Sequence, residues 1–156
     1  MKKTLTAIAM ASGLAAPAQA ADQDVVQALY SEVLSATASP DLAARMARVL
    51  SPDWRSIGDY ASPVKTREQF LTQLQRMGGI APNLNWKVEE MLQVGNRFVV
   101  RGSATATPVA PFMGAPSTGK GFEIMAIDIH TIENHQIVLS YHVEDWHGAI
   151  EQLQRR

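Results

Sequence analysis

FEIMAIDIHTIE (Phe122–Glu133) and QIVLSYHVED (Gln136–Asp145) are two β-rich runs joined by the short polar pair Asn134-His135, and their pairing decides the fold. Such an arrangement predicts an antiparallel hairpin. With a two-residue turn, Glu133 stands opposite Gln136. That register places Asp128 opposite Tyr141, His130 opposite Leu139 and Ile124 opposite Asp145, all on one face. The other face collects Met125, Ile127 and Ile129 with Val138, Ser140, His142 and Glu144. A slip of one residue would exchange the faces of one strand, because side chains alternate with period two.

Working outward, Pro108 to Lys120 is rich in Pro and Gly and predicts a loop over one end of the sheet. Before it, Trp86–Val94 and Phe98–Thr107 flank Gly95-Asn96 and predict a first hairpin. The N-terminal half is helical in pattern. Val25, Val26, Leu29, Val33 and Leu34 recur at three- and four-residue intervals and predict a helix over 24–36. Ser39-Pro40-Asp41 breaks the chain, and Leu42, Met46, Val49 and Leu50 form a second stripe that ends at Ser51-Pro52. Thr66-Arg67-Glu68-Gln69 has capping-box spacing, followed by Phe70, Leu71, Leu74 and Met77, with Gly78-Gly79 as the expected stop. A short helix or tail over 146–153 closes the chain. Helices first and an antiparallel meander afterwards is an α+β layout.

The first twenty residues have a different character. Lys2 and Lys3 precede an apolar run from Leu5 to Ala16, and Ala18-Gln19-Ala20 supplies a small-x-small cleavage pattern. A signal peptide over 1–20 is expected, with the mature domain spanning 21–156 and exported, to the periplasm in a bacterial cell. The apolar run is shorter than the roughly 20 residues of a spanning helix, so no membrane association is expected after cleavage. The remainder of the 156 residues is the size of one domain. The chain has no cysteine, which excludes disulfides, thiol nucleophiles and thiolate metal sites. A net charge of −1 with scattered Lys and Arg lacks the footprint of a nucleic-acid binder.

The expected inner face is apolar, with Asp128, His130, Tyr141 and Asp145 set into it. Burying polar groups is costly unless they find partners, so an apolar cavity with convergent polar groups is the natural site hypothesis; a solvated sheet face is the alternative. Asp145 has a second possible use as the cap of the helix that starts at Trp146. Trp54, Tyr60 and Phe112 are expected to pack in the pocket or core. His130, His135, His142 and His147 show no helical His-x-x-x-His pair and no closed cluster, so no metal site is expected.

Phe112-Met113-Gly114-Ala115-Pro116-Ser117-Thr118-Gly119-Lys120, then Ile127-Asp128-Ile129, then Gln136 to Asp145, resembles the SnoaL-like polyketide cyclase (ester cyclase) pattern F-M-G-x-P-x-T-G-K, I-D-I-F-R and K-I-V-E-x-W-x-x-x-D. The resemblance runs from the first helix to the terminus. It implies the cone-shaped nuclear transport factor 2-like fold, with helices packed on a curved antiparallel sheet. It also implies a cofactor-free enzyme in which Asp145 is the general acid/base of an aldol-type ring closure, with Asp128 and His130 helping to hold the substrate. Tyr141, Phe112, Trp54 and Tyr60 would contact a small hydrophobic carbonyl-type or epoxide substrate. A non-catalytic periplasmic binding protein on the same fold is the alternative. The row Met125, Ile127 and Ile129 suggests a homodimer through the outer face of the sheet.

Overall fold

The computed structural model describes residues 16–155, so the expected leader lies for the most part outside the described residues. Helix α1 (Ala16–Ala28) passes without a break into a π-helical stretch, Leu29–Leu34. The Ser35 N–H closes on the Tyr30 carbonyl at 3.0 Å, a bond that spans five residues. Such widened turns are rare and often lie beside functional sites. Val26, Leu29, Tyr30 and Val33 are all buried along this segment.

Helix α2 (Leu42–Val49) starts after Asp41, whose carboxylate accepts from Arg45 Nε at 2.8 Å and from the Ser39 hydroxyl rather than capping the helix. The chain then enters strand β1 (Leu50–Ile57) directly, where the sequence had suggested only a break at Ser51-Pro52. Pro52 is tolerated because β1 pairs with its neighbour at Leu50 and again from Arg55, with an irregularity between them. A missing N–H costs no ladder bond there. Strand β2 (Lys65–Thr66) folds back on β1 and leads into helix α3 (Arg67–Ile80). The capping box is present: Gln69 N–H donates to Thr66 Oγ1, and Thr66 N–H donates to Gln69 Oε1 at 2.9 Å. Gly78-Gly79 does not end the helix, which continues to Ile80. Gly78 serves instead as a contact point, since a Cβ there would lie 2.5 Å from the Thr37 carbonyl oxygen.

Strands β3 (Asn85–Val94), β4 (Arg97–Ala106), β5 (Phe122–Glu133) and β6 (Gln136–Glu144) complete a six-stranded sheet in the order β2-β1-β6-β5-β4-β3. Only β1 and β6 run parallel. Helix α4 (Trp146–Gln154) follows, packing on β5. The helices and the concave face of the sheet enclose one core that includes Tyr30, Met46, Leu50, Trp54, Phe98 and Ile137. Among the described residues no helix is long and apolar enough to cross a membrane.

The second hairpin begins as expected and then departs. Asn134 and His135 take φ values of 50° and 58°, a two-residue turn, and Glu133 pairs with Gln136 and Ile132 with Ile137. The next pair is Thr131 with Leu139, which leaves Val138 as an extra residue on β6. Beyond this bulge the register has slipped by one: His130 faces Ser140, Asp128 faces His142 and Ala126 faces Glu144. The expected partnership of Asp128 with Tyr141 and His130 with Leu139 is therefore corrected. Ile137 and Ser140 are both buried although three apart, which strict alternation forbids. A bulge absorbs the odd residue and lets both point inward.

Candidate functional site

A cavity of about 360 Å³ lies between the helices and the concave face. Its apolar wall comprises Leu29, Leu34, Trp54, Phe70, Leu74, Met77, Leu84, Trp86 and Trp146. Its polar groups come from the two central strands and the β1–β2 edge: Asp128 and His130 from β5, Ser140, His142 and Glu144 from β6, and Ser56, Asp59 and Lys65 nearer the edge. Each strand residue is in place because the bulge turns alternate β6 side chains toward the same face as Asp128 and His130.

The deepest of these groups form a continuous network. Tyr30, from the π-helical stretch, donates its hydroxyl to Asp128 Oδ2 at 2.6 Å. The same hydroxyl lies 3.0 Å from His130 Nε2, and His130 Nδ1 lies 2.8 Å from Ser140 Oγ. Trp54 Nε1–H donates to Ser140 Oγ at 3.0 Å. Asp128 Oδ1 has no hydrogen-bond partner among the described residues, and Asp128 lines the cavity. A second pair sits beside it: His142 Nδ1 lies 2.8 Å from Glu144 Oε1.

Burial dominates the charges. It pushes the Asp128 carboxyl up to about 6, against the opposing hydrogen bond from Tyr30. It pushes His130 down to about 3, so that ring is neutral at physiological pH. The Tyr30 hydroxyl is held well above its ordinary value by burial and by Asp128. His142 moves the other way, raised chiefly by its hydrogen bond to Glu144. Lys65, half-buried and 5.8 Å from the centre of the Phe70 ring, is lowered by desolvation. No group of three or more His, Asp or Glu residues stands ready to hold a metal among the described residues.

Of the residues singled out by sequence, Asp128, His130 and Trp54 meet in this cavity. Asp145 does not. It is exposed at the start of α4, where its Oδ1 accepts from Gly148 N–H at 2.8 Å as an N-cap. Tyr141 pairs with Ile129 on the outer face. Phe112 is buried behind the wall, 5.2 Å from Phe122 and 5.8 Å from Trp146 between ring centres, and buttresses Trp146. Tyr60 is 98% exposed. Sequence reasoning missed Tyr30, Ser140, His142, Glu144 and Lys65. Tyr30 had a readable signal, since 26, 29, 30 and 33 form a helical stripe and a tyrosine on a buried stripe brings a hydroxyl that needs a partner.

Together, the curved sheet, the helices across its concave side and the apolar pocket with buried titratable groups define a cone-type α+β domain built around an internal cavity. The family model for SnoaL-like polyketide cyclases matches residues 24–153, and the chain belongs to that family. The fold agrees with solved structures of the same nuclear transport factor 2-like type. IdmH of Streptomyces antibioticus, which carries a provisional polyketide cyclase assignment, is 25% identical over 86% of this chain and 99% of its own, with a TM-score of 0.73. A provisionally assigned SnoaL-like polyketide cyclase of Jannaschia sp. CCS1 is 18% identical over 93% and 99%, with a TM-score of 0.77. AclR of Streptomyces galilaeus, provisionally a hydroxylase, is 17% identical over 86% and 96%, with a TM-score of 0.71. No curated protein sequence matches the chain.

Proposed function

We propose that this protein is an exported acid/base catalyst of the cyclase or isomerase type, acting without a cofactor on a free hydrophobic carbonyl compound, with Asp128 rather than Asp145 as the base. One observation carries the reading: a carboxyl group at the base of an apolar pocket has one oxygen tied to Tyr30 and the other left to the cavity. A base held near 6 is largely ionised at neutral pH yet returns its proton readily, which suits general acid/base work.

In such a reaction a C–H bond next to the substrate carbonyl breaks and its proton moves to Asp128 Oδ1. The electron pair delocalises onto the carbonyl oxygen. His142, whose hold on its proton is strengthened by the hydrogen bond to Glu144, supplies in its protonated form the adjacent positive charge that this oxygen needs. The carbon then attacks a second carbonyl within the same molecule, and the new alkoxide recovers the proton from Asp128. The sequence is redox-neutral and returns both groups to their starting state.

The test uses protein recovered from the periplasmic fraction, with Ala21 expected as its first residue, and the ligand that co-purifies with it. Asp128→Asn should lower turnover of that ligand by roughly 10²- to 10⁴-fold with binding retained. Asp145→Asn should leave turnover unchanged, because Asn caps nearly as well as Asp. Turnover that survives Asp128→Asn and collapses in Asp145→Asn would overturn the assignment. Ligand binding with no conversion by the wild type would make the protein a binder.

A further inference from the structure

We propose that Trp54, Ser140 and His130 are positioning residues that act through Tyr30, forming a one-directional hydrogen-bond relay that ends on Asp128 Oδ2 and holds that carboxyl in its proton-accepting form. This rests on the reading of Asp128 as the base, but its geometry stands independently.

The direction of the relay follows from counting protons. Tyr30 has a single hydroxyl proton, and it goes to Asp128 at 2.6 Å. The 3.0 Å contact between Tyr30 and His130 Nε2 must therefore be a donation from the imidazole. His130 is fully buried and neutral, so with its proton on Nε2 the Nδ1 atom is an acceptor. Ser140 donates to it at 2.8 Å, and the Ser140 oxygen in turn accepts from Trp54 Nε1–H at 3.0 Å. Trp54 can only donate, so it sets the start of the chain.

The opposite polarity fails at one atom. Were Asp128 to donate to Tyr30, then Tyr30 to His130 Nε2 and His130 Nδ1–H to Ser140, the Ser140 oxygen would receive two donors. Its own proton would have no acceptor among the described residues. Ser140 is buried at the cavity wall, and that polarity forfeits the hydrogen bond its hydroxyl proton makes to His130 in the first. Along the path from Trp54 Nε1 to Asp128 Oδ2, only one sense gives every hydrogen a protein acceptor.

The other charged groups near Asp128 are His142 and Glu144 across the strand pair, with Lys65 and Asp59 toward the β1–β2 edge. None of them touches His130 or Ser140 by hydrogen bond among the described residues, so the relay can be tested separately from them.

Long-range ¹H–¹⁵N spectra of histidine-labelled protein at pH 7 should show the His130 proton on Nε2 and a bare Nδ1. A proton on Nδ1, or on both nitrogens, would overturn the relay. In Ser140→Ala the ¹³C-detected titration of Asp128 should move upward by about half a pH unit, about threefold in proton affinity, because neighbouring hydrogen bonds polarise one another. Ser140→Thr should restore it. An unchanged midpoint in Ser140→Ala also overturns the relay, and if that variant does not fold the wild-type tautomer decides. Both readouts survive if Asp128 proves non-catalytic, whereas an Asp128-dependent turnover with the proton on His130 Nδ1 would remove the relay alone.

Discussion

Asp128 and His130 stand two residues apart on one strand and load the stability of the protein in opposite directions. Asp128 binds its proton more tightly when folded, so between about pH 4 and 6 the unfolded chain has lost a proton that the native state keeps. Stability contributed by this group falls as pH rises through that window. His130 binds its proton less tightly when folded, so between about pH 3 and 6.5 the unfolded chain carries a proton that the native state lacks. Its contribution rises with pH through the same range. The two slopes oppose each other in the wild type. Asp128→Asn removes the falling one, so that variant should gain stability from pH 4 to 6.5 and exceed the wild type above pH 6 by about 3 kcal/mol at most, from a displacement near two pH units at about 1.4 kcal/mol each. Urea denaturation at a series of pH values measures this directly. A variant less stable than the wild type at pH 8 would mean that the Tyr30 hydrogen bond outweighs the burial of the charge.

At the scale of the element, α3 carries two adjacent glycines with different duties. A Cβ at Gly78 would meet the backbone of Thr37 and Ala38 at 2.5 to 2.8 Å, and backbone cannot step aside. A Cβ at Gly79 would meet nothing within 4 Å, and neither glycine has a left-handed backbone. Gly78→Ala should therefore cost roughly 1 to 3 kcal/mol through overpacking. Gly79→Ala should stabilise by about 0.4 to 1 kcal/mol, because alanine loses less entropy on entering a helix. Thermal melts of the two variants, read side by side, check both signs. The sequence made Gly78-Gly79 look like a stop signal because glycine commonly ends helices; its contact with the loop at 37–38 is visible only when the two segments are packed. The bulge in β6 is a second case. Ile137-Val138-Leu139 is apolar throughout and does not reveal which residue is extra.

At the scale of the molecule, no layer of helices among the described residues covers the outer face of the sheet. Met125 is 58% exposed, Ile127 40% and Val143 68%. The register sets Val143 opposite Ile127 and Tyr141 opposite Ile129, so the apolar patch is broader than the single row read from β5. We propose that a second copy of the chain covers it, since a self-complementary patch on one face suits a twofold dimer. Light scattering should return twice the monomer mass, and Ile127→Lys should shift the equilibrium toward monomer. A strict monomer at high micromolar concentration would remove the proposal.

The sequence by itself determined the α+β class, both hairpins and their turns, the capping box of α3 and the presence of Asp128, His130 and Trp54 near a pocket. Each of these rests on local periodicity or on turn and cap chemistry, which act over a few residues. Only the tertiary structure decided which β6 residues join them. One unpaired residue at Val138 exchanges Tyr141 for His142 and Asp145 for Glu144, and it leaves Asp145 to cap a helix. Tyr30 reaches Asp128 across 98 residues of chain. Such a contact is set by how a helix packs on a sheet, and local pattern holds no record of it.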